Sequence, residues 1–147
     1  MHQTRDSQET ILLDILHEEN PDQNIVFTEI KTPFGEPVKV KTPSFEDLLG
    51  DKMTAFALYT TGVPYYKGKD SRGKEILKQL YDIGNLFEQL EDLATLLKTF
   101  VYLADIEAKY RGLQINASDV PKDIFQTTIC ITLRGNGGIG DFENLLD

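Results

Sequence analysis

The stretch Val38-Lys39-Val40-Lys41-Thr42-Pro43-Ser44-Phe45-Glu46-Asp47-Leu48-Leu49 changes its period part-way along. Val38 to Lys41 alternates apolar and polar residues, the pattern of a strand with one wet face. Beyond Ser44 the apolar residues recur as Phe45, Leu48, Leu49, Met53 and Phe56, the spacing of one helix face. Ser44 is a helix N-cap residue type, and Asp47 three residues on gives a box-like arrangement. The boundary near residue 43 divides a chain of strands from a chain of helices.

Upstream, residues 24–31 alternate, with Ile25, Phe27 and Glu29 opposing Val26, Thr28 and Ile30. Pro33-Phe34-Gly35-Glu36-Pro37 reads as a turn. Further back, Ile11, Leu13 and Ile15 face one way and Leu12, Asp14 and Leu16 the other, which suggests a strand buried on both sides. The first 42 residues therefore read as three short strands, antiparallel neighbours. Downstream, the first helix is expected to end near Tyr59, before a loop over residues 60–73. A second helix is expected from about Lys74 to Leu90, on the stripe Ile76, Leu80, Ile83, Phe87 and Leu90. A third runs from about Asp92 to Arg111, with Gly112 as its stop. Ser118-Asp119 before Pro121 starts a fourth. The glycine run from Gly135 ends it, and a last amphipathic turn spans Phe142 to Leu146. Strands first and helices after predict an α+β fold: a few short N-terminal strands followed by a helical bundle.

The 147 residues suit one domain, and 40% apolar with 27% charged residues is ordinary globular composition. No apolar window is long enough to cross a membrane, and Met1 to Asp6 lacks the apolar run of a signal peptide. Cys130 is the only cysteine, so no internal disulfide forms, and it sits between Ile129 and Ile131 as a buried thiol would. The expected location is cytoplasmic. The net charge of −9 disfavours sequence-independent binding to duplex nucleic acid. One segment reverses the sign. Lys67, Lys69, Arg72, Lys74 and Lys78 stand against Asp70 and Glu75. That segment is either a solvated loop and helix start or a phosphate-contacting surface.

Three charged residues fall where apolar ones are expected. Asp14 lies between Leu12 and Leu16 on one strand face; it is either a metal-binding acid or a carboxylate paired at a strand edge. On the first helix, with Phe45 at zero, Phe56 falls near +20°, roughly, Leu49 near +40° and Lys52 near −20°. Lys52 thus occupies the middle of the apolar stripe, where it must snorkel, pair with an acid or bind an anion. Asp82 sits at the margin of the second helix's stripe, where Lys78 at i, i+4 is the simplest partner. Gly135, Gly137 and Gly140 match a G-x-G-x-x-G spacing, but they follow a helix rather than a strand, so dinucleotide-binding geometry is missing.

The block Thr42 to Ala57, with Thr60-Thr61-Gly62-Val63-Pro64-Tyr65 and Lys78-Gln79-Leu80-Tyr81-Asp82-Ile83, resembles the AbiEii/AbiGii toxin family. These are nucleotidyltransferases of type IV toxin–antitoxin and abortive-infection systems. The run Ile11 to Leu16 resembles the family strand before this block. The resemblance implies a polymerase-β-like fold, with residues 1–43 as part of a palm sheet and 44–147 as a helical region packed on it in one compact unit. It implies transfer of a nucleoside monophosphate from a nucleoside triphosphate to an acceptor such as tRNA, with Mg²⁺ as the cofactor. Carried over residue by residue, Asp14 resembles the later palm-strand acid, catalytic and metal-binding. Lys52 resembles the helical lysine near the triphosphate, with Lys78 beside it as a nucleotide-binding residue. Asp82 resembles the second, catalytic acid of a helix motif whose Arg-Asp pair is replaced here by Lys78-Gln79. The family's first motif, a Gly-Gly or Gly-Ser turn followed by D-x-D, does not occur before Asp14. The expectation is therefore a C-terminal portion of such an enzyme, inactive alone and completed by an N-terminal half. The alternative is a non-catalytic module of the same fold that binds a partner protein such as an antitoxin.

Overall fold

The computed structural model describes residues 24–31, 33, 35–116 and 118–146. The strand expected at residues 10–16, with Asp14, lies outside the described residues. Strand β1 (Ile25–Ile30) pairs antiparallel with β2 (Val38–Pro43) in the register Ile25↔Pro43 through Ile30↔Val38. That register sets Glu29 opposite Lys39, a favourable cross-strand charge pair, and puts Val26, Ile30, Val38 and Val40 on one face. The expected pairing is present, but neither face of the ribbon is buried: all six residues of β1 are exposed, and Val38 of β2 with them. Helices α1 (Phe45–Ala55), α2 (Gly73–Phe87), α3 (Leu93–Tyr110) and α4 (Asp119–Thr132) follow, and a short 3₁₀ turn covers Glu143–Leu146. The architecture is α+β, as the change of period predicts.

Helix α1 packs against both α2 and α3. Phe56, Leu58, Tyr65, Ile76 and Leu145 form one buried cluster, with Leu80 and Ile83 of α2 against it. Ala57, Phe100 and Val120 form a second between α3 and α4. The helices match their expected places with three differences. Helix α1 stops at Ala55, four residues early, because the chain folds back: the Gly62 amide donates to the Ala57 carbonyl at 2.6 Å and Val63 to Ala55 at 2.8 Å. A Cβ on Gly62 would lie 2.4 Å from the Ala55 oxygen, so only glycine fits this crossing. Helix α2 ends at Phe87 rather than Leu90. The expected loop at 60–73 contains a hairpin, β3 (Tyr66–Lys67) paired with β4 (Asp70–Ser71), turning through Gly68 at φ +67°. Two-residue strands carry too little alternation to be read from sequence.

The capping box at α1 is half made. Ser44 Oγ accepts from the Asp47 amide at 3.2 Å, but the Ser44 amide donates to the Asn24 carbonyl at 2.8 Å. The Asp47 carboxylate is turned elsewhere. It accepts from the Asn24 amide at 2.7 Å, Asn24 Nδ2 at 3.0 Å and Thr99 Oγ1 at 2.7 Å. At 1% exposure, it fastens the start of β1, the start of α1 and the middle of α3 together. Asp123 does similar work on α4, accepting from the Tyr59 amide at 2.8 Å and Thr60 Oγ1 at 2.9 Å. Phe45, the reference of the apolar stripe, is instead 52% exposed. The glycine run is a helix stop. The Gly135 amide donates to the Cys130 carbonyl at 2.8 Å, and Ile139 donates back to Gln126 at 3.3 Å. It lies along its own helix, with Gly140 against the buried Cys130.

Candidate functional site

Two of the charged residues singled out in the sequence meet. Lys52 comes from the last turn of α1 and Asp82 from the second half of α2. Lys52 Nζ stands 3.5 Å from Asp82 Oδ2, and both side chains are 27% exposed. The packing of α1 on α2 produces this meeting. Leu49 and Phe56 bury one side of α1, and Lys52, between them, emerges where α2 passes. Asp82 therefore pairs across helices with Lys52, rather than along its own helix with Lys78. Lys78 is exposed one turn earlier on α2 and has no ion-pair partner among the described residues.

The surroundings are acidic. Asp51 adjoins Lys52 and lines a cleft of about 120 Å³ with Thr54, Thr61, Gly62, Glu107 and Arg111. Desolvation pushes the Asp51 carboxyl up; the Lys52 charge opposes this and Glu107 adds to it. Arg111 closes that cleft from within, donating from Nη1 to the Gly62 carbonyl at 2.9 Å and pairing through Nε with Glu107 at 3.5 Å. One turn before Asp82, the buried side-chain oxygen of Gln79 has no hydrogen-bond partner among the described residues. A larger groove of about 260 Å³ beside α3 is walled by Phe100, Ala104, Ile115 and Val120 and carries no cation. An apolar groove without a cation does not suit a phosphate.

Among the described residues no three His, Cys, Asp or Glu side chains converge as a metal site requires. Asp14, which the resemblance makes a metal ligand, lies outside the described residues, as does His17. Among the described residues, no helix is long and apolar enough to cross a membrane. Sequence reasoning missed the tasks of Asp47 and Asp123. The partners of Asp47 lie 23 and 52 positions away, and those of Asp123 up to 64.

A family model described as nucleotidyl transferase AbiEii toxin, type IV TA system, matches residues 3–130 of the chain. No curated protein and no solved structure matches it.

Proposed function

The chain belongs to the AbiEii nucleotidyl transferase toxin family of type IV toxin–antitoxin systems, and on that premise we propose that Lys52, Lys78 and Asp82 serve its nucleotide site. In the transfer, an acceptor hydroxyl oxygen bonds to the α-phosphorus of a nucleoside triphosphate. The bond from that phosphorus to the α–β bridging oxygen breaks, and pyrophosphate leaves with the electron pair as the hydroxyl proton passes to a base. The Lys52 ammonium receives a triphosphate oxygen, and Asp82 holds it in position beforehand. Lys78 adds a second positive charge one turn away. The observation behind this reading is the 3.5 Å pairing of Lys52 with Asp82 at partial exposure. There an ammonium is desolvated enough to bind strongly and still open to a ligand.

Magnesium, when bound, would neutralise the phosphates and activate the attacking hydroxyl. The described residues alone do not make a site for it, and the roles of Lys52 and Lys78 do not depend on it. A partner antitoxin follows from the family as a further proposal. The competing reading, a non-catalytic module docking a partner protein, has one observation behind it: Val26, Ile30 and Val38 are exposed on one face of the β1–β2 ribbon.

Titration with fluorescent nucleoside triphosphates, with and without Mg²⁺, separates the two readings. Lys52→Ala is expected to weaken binding about tenfold or more, since a charge-assisted hydrogen bond is worth about 1.5–3 kcal/mol. Lys78→Ala, at an exposed position, costs roughly two- to fivefold. A wild-type chain that binds no triphosphate under either condition overturns the nucleotide reading and leaves the docking module.

A further inference from the structure

We propose that the β3–β4 hairpin and the exposed face of α2 form a contact surface for single-stranded nucleic acid, with Lys67, Lys69 and Lys74 on phosphates and Tyr81 stacking on a base. The surface would hold the acceptor strand, so its purpose rests on the nucleotide-transfer reading, although the contact is measurable apart from it.

The argument starts from charge. Five of the 15 bases in a chain of net charge −9 fall within residues 67–78. Only Arg72 of these is spent on an acid, Glu75, one turn along. Lys67, Lys69, Lys74 and Lys78 are exposed and have no ion-pair partner among the described residues. Lys67 stands opposite Asp70 in the hairpin register without closing an ion pair, and Lys69, Lys74 and Lys78 are likewise left unspent among the described residues. Their mutual repulsion is relieved by a polyanion.

Geometry adds direction. Ser71, Arg72, Lys74 and Glu75 line a cleft of about 270 Å³ where the hairpin meets α2, so Lys74 stands at that junction. On α2, Tyr81 follows Lys74 by seven residues, within about 20° on the helix wheel and roughly 10 Å along the axis. Tyr81 is 71% exposed, which leaves its ring open to stacking. Interleaved cations and an exposed aromatic ring are what a strand with unstacked bases requires. Phosphates take the cations, and any base has a π-face for the ring. A duplex hides its base faces and would use the lysines alone, so the tyrosine favours a single strand.

The hairpin is also held in place. Tyr66 donates its hydroxyl to Asp141 Oδ2 at 3.1 Å, the Arg72 amide donates to the Tyr65 carbonyl at 2.9 Å, and Asn144 Nδ2 donates to Ser71 Oγ at 3.0 Å. Gly73, at the start of α2, lies so close to the Asn144 carbonyl that a Cβ there would be 2.2 Å from it. These ties keep the hairpin lysines at a fixed place beside α2, so little ordering entropy is lost on binding.

The test is fluorescence-anisotropy titration of the full chain, without nucleotide, using a fluorescein-labelled oligoadenylate of about a dozen nucleotides, a site size suited to such surfaces. The DNA counterpart and a duplex of the same length are run beside it, over a range of salt. Preference for the single strands is expected, and the RNA and DNA arms say which sugar is favoured. Each phosphate contact contributes about 0.7 to the salt slope for a single strand. Replacing Lys67, Lys69 and Lys74 by alanine should therefore lower the slope by about 2 and the affinity by tenfold or more. Tyr81→Leu should lose about fivefold or more at an unchanged slope, and Tyr81→Phe should retain wild-type binding. An unchanged salt slope in the lysine variant, or equal losses for Tyr81→Phe and Tyr81→Leu, overturns the proposal. Lysine-dependent binding of polyglutamate with no binding of either single strand also overturns it, and assigns the patch to an acidic protein. Because no nucleotide is present, failure here leaves the triphosphate titration standing, and failure of that titration leaves this result standing.

Discussion

A lysine paired at 3.5 Å with an aspartate, each about a quarter exposed, contributes little to stability. Pairs of this kind are worth roughly 0–1 kcal/mol, because solvent screens them and two long side chains must be held still. Lys52 also displaces an apolar residue from the middle of its helix's stripe. Lys52→Met restores that stripe with similar length, so the variant is expected to melt at the wild-type temperature or slightly above it. Triphosphate affinity should fall as it does for Lys52→Ala. Thermal melting followed by circular dichroism checks the first half; a clear drop in melting temperature would make the pair a stabilising contact instead. At this scale the sequence was partly readable. An ammonium inside an apolar stripe announces itself, and so does the need for an acid. Which acid answers was hidden, because Lys78 and Asp82 are near in sequence while Lys52 and Asp82 are near only once α1 and α2 have packed.

At the scale of elements, the helices were legible because each carries an apolar period, and some a terminal signal as well. Helix α3 shows both: Asp92 caps it, and Gly112 with φ +65° ends it. Asp92 accepts from the amides of Ala94 at 2.9 Å and Thr95 at 3.2 Å, and from Thr95 Oγ1 at 2.6 Å. The Thr95 hydroxyl chiefly, then the Thr95 and Ala94 amides, hold its carboxyl below the ordinary aspartate value. A group depressed on folding stabilises the fold above its unfolded pKa, and that contribution vanishes as the pH falls through its folded value. Asp92→Ala should therefore lower the melting temperature at neutral pH. The gap to wild type should close as the pH drops below about 4, the usual aspartate range. A gap that stays constant with pH would show that the cap acts through something other than its charge. Glu46 titrates in the same direction. Its own backbone amide chiefly lowers its carboxyl, and the Glu91 and Asp92 amides tie it to the start of α3. The β3–β4 hairpin was illegible for the opposite reason: four residues hold no period, and what fixes them is a tyrosine reaching Asp141, 75 positions on.

For the molecule as a whole, the change of period set the fold class, and the packing of α1 on α2 brings Lys52 to Asp82. The net charge of −9 argues against nucleic acid if it is taken as uniform. The charge is not uniform: Lys67, Lys69, Lys74 and Lys78 lie close together in the chain, and the hairpin and α2 present them exposed. The family match spans residues 3–130, and so covers both the strand pair and the helices that bring Lys52 to Asp82. The Asp47 carboxylate joins segments 23 and 52 positions apart, which gives it a place in time as well as in space. Contacts so distant along the chain close late, after the local turns of helix have formed. An interaction absent from the folding transition state governs how fast the native protein comes apart, with little influence on how fast it assembles. Asp47→Ala, which strands the donors of Asn24 and Thr99, should cost about 2–4 kcal/mol. In a stopped-flow chevron most of that loss should appear as faster unfolding, with the refolding limb nearly unmoved. The buried carboxylate is then a latch on the native state's lifetime.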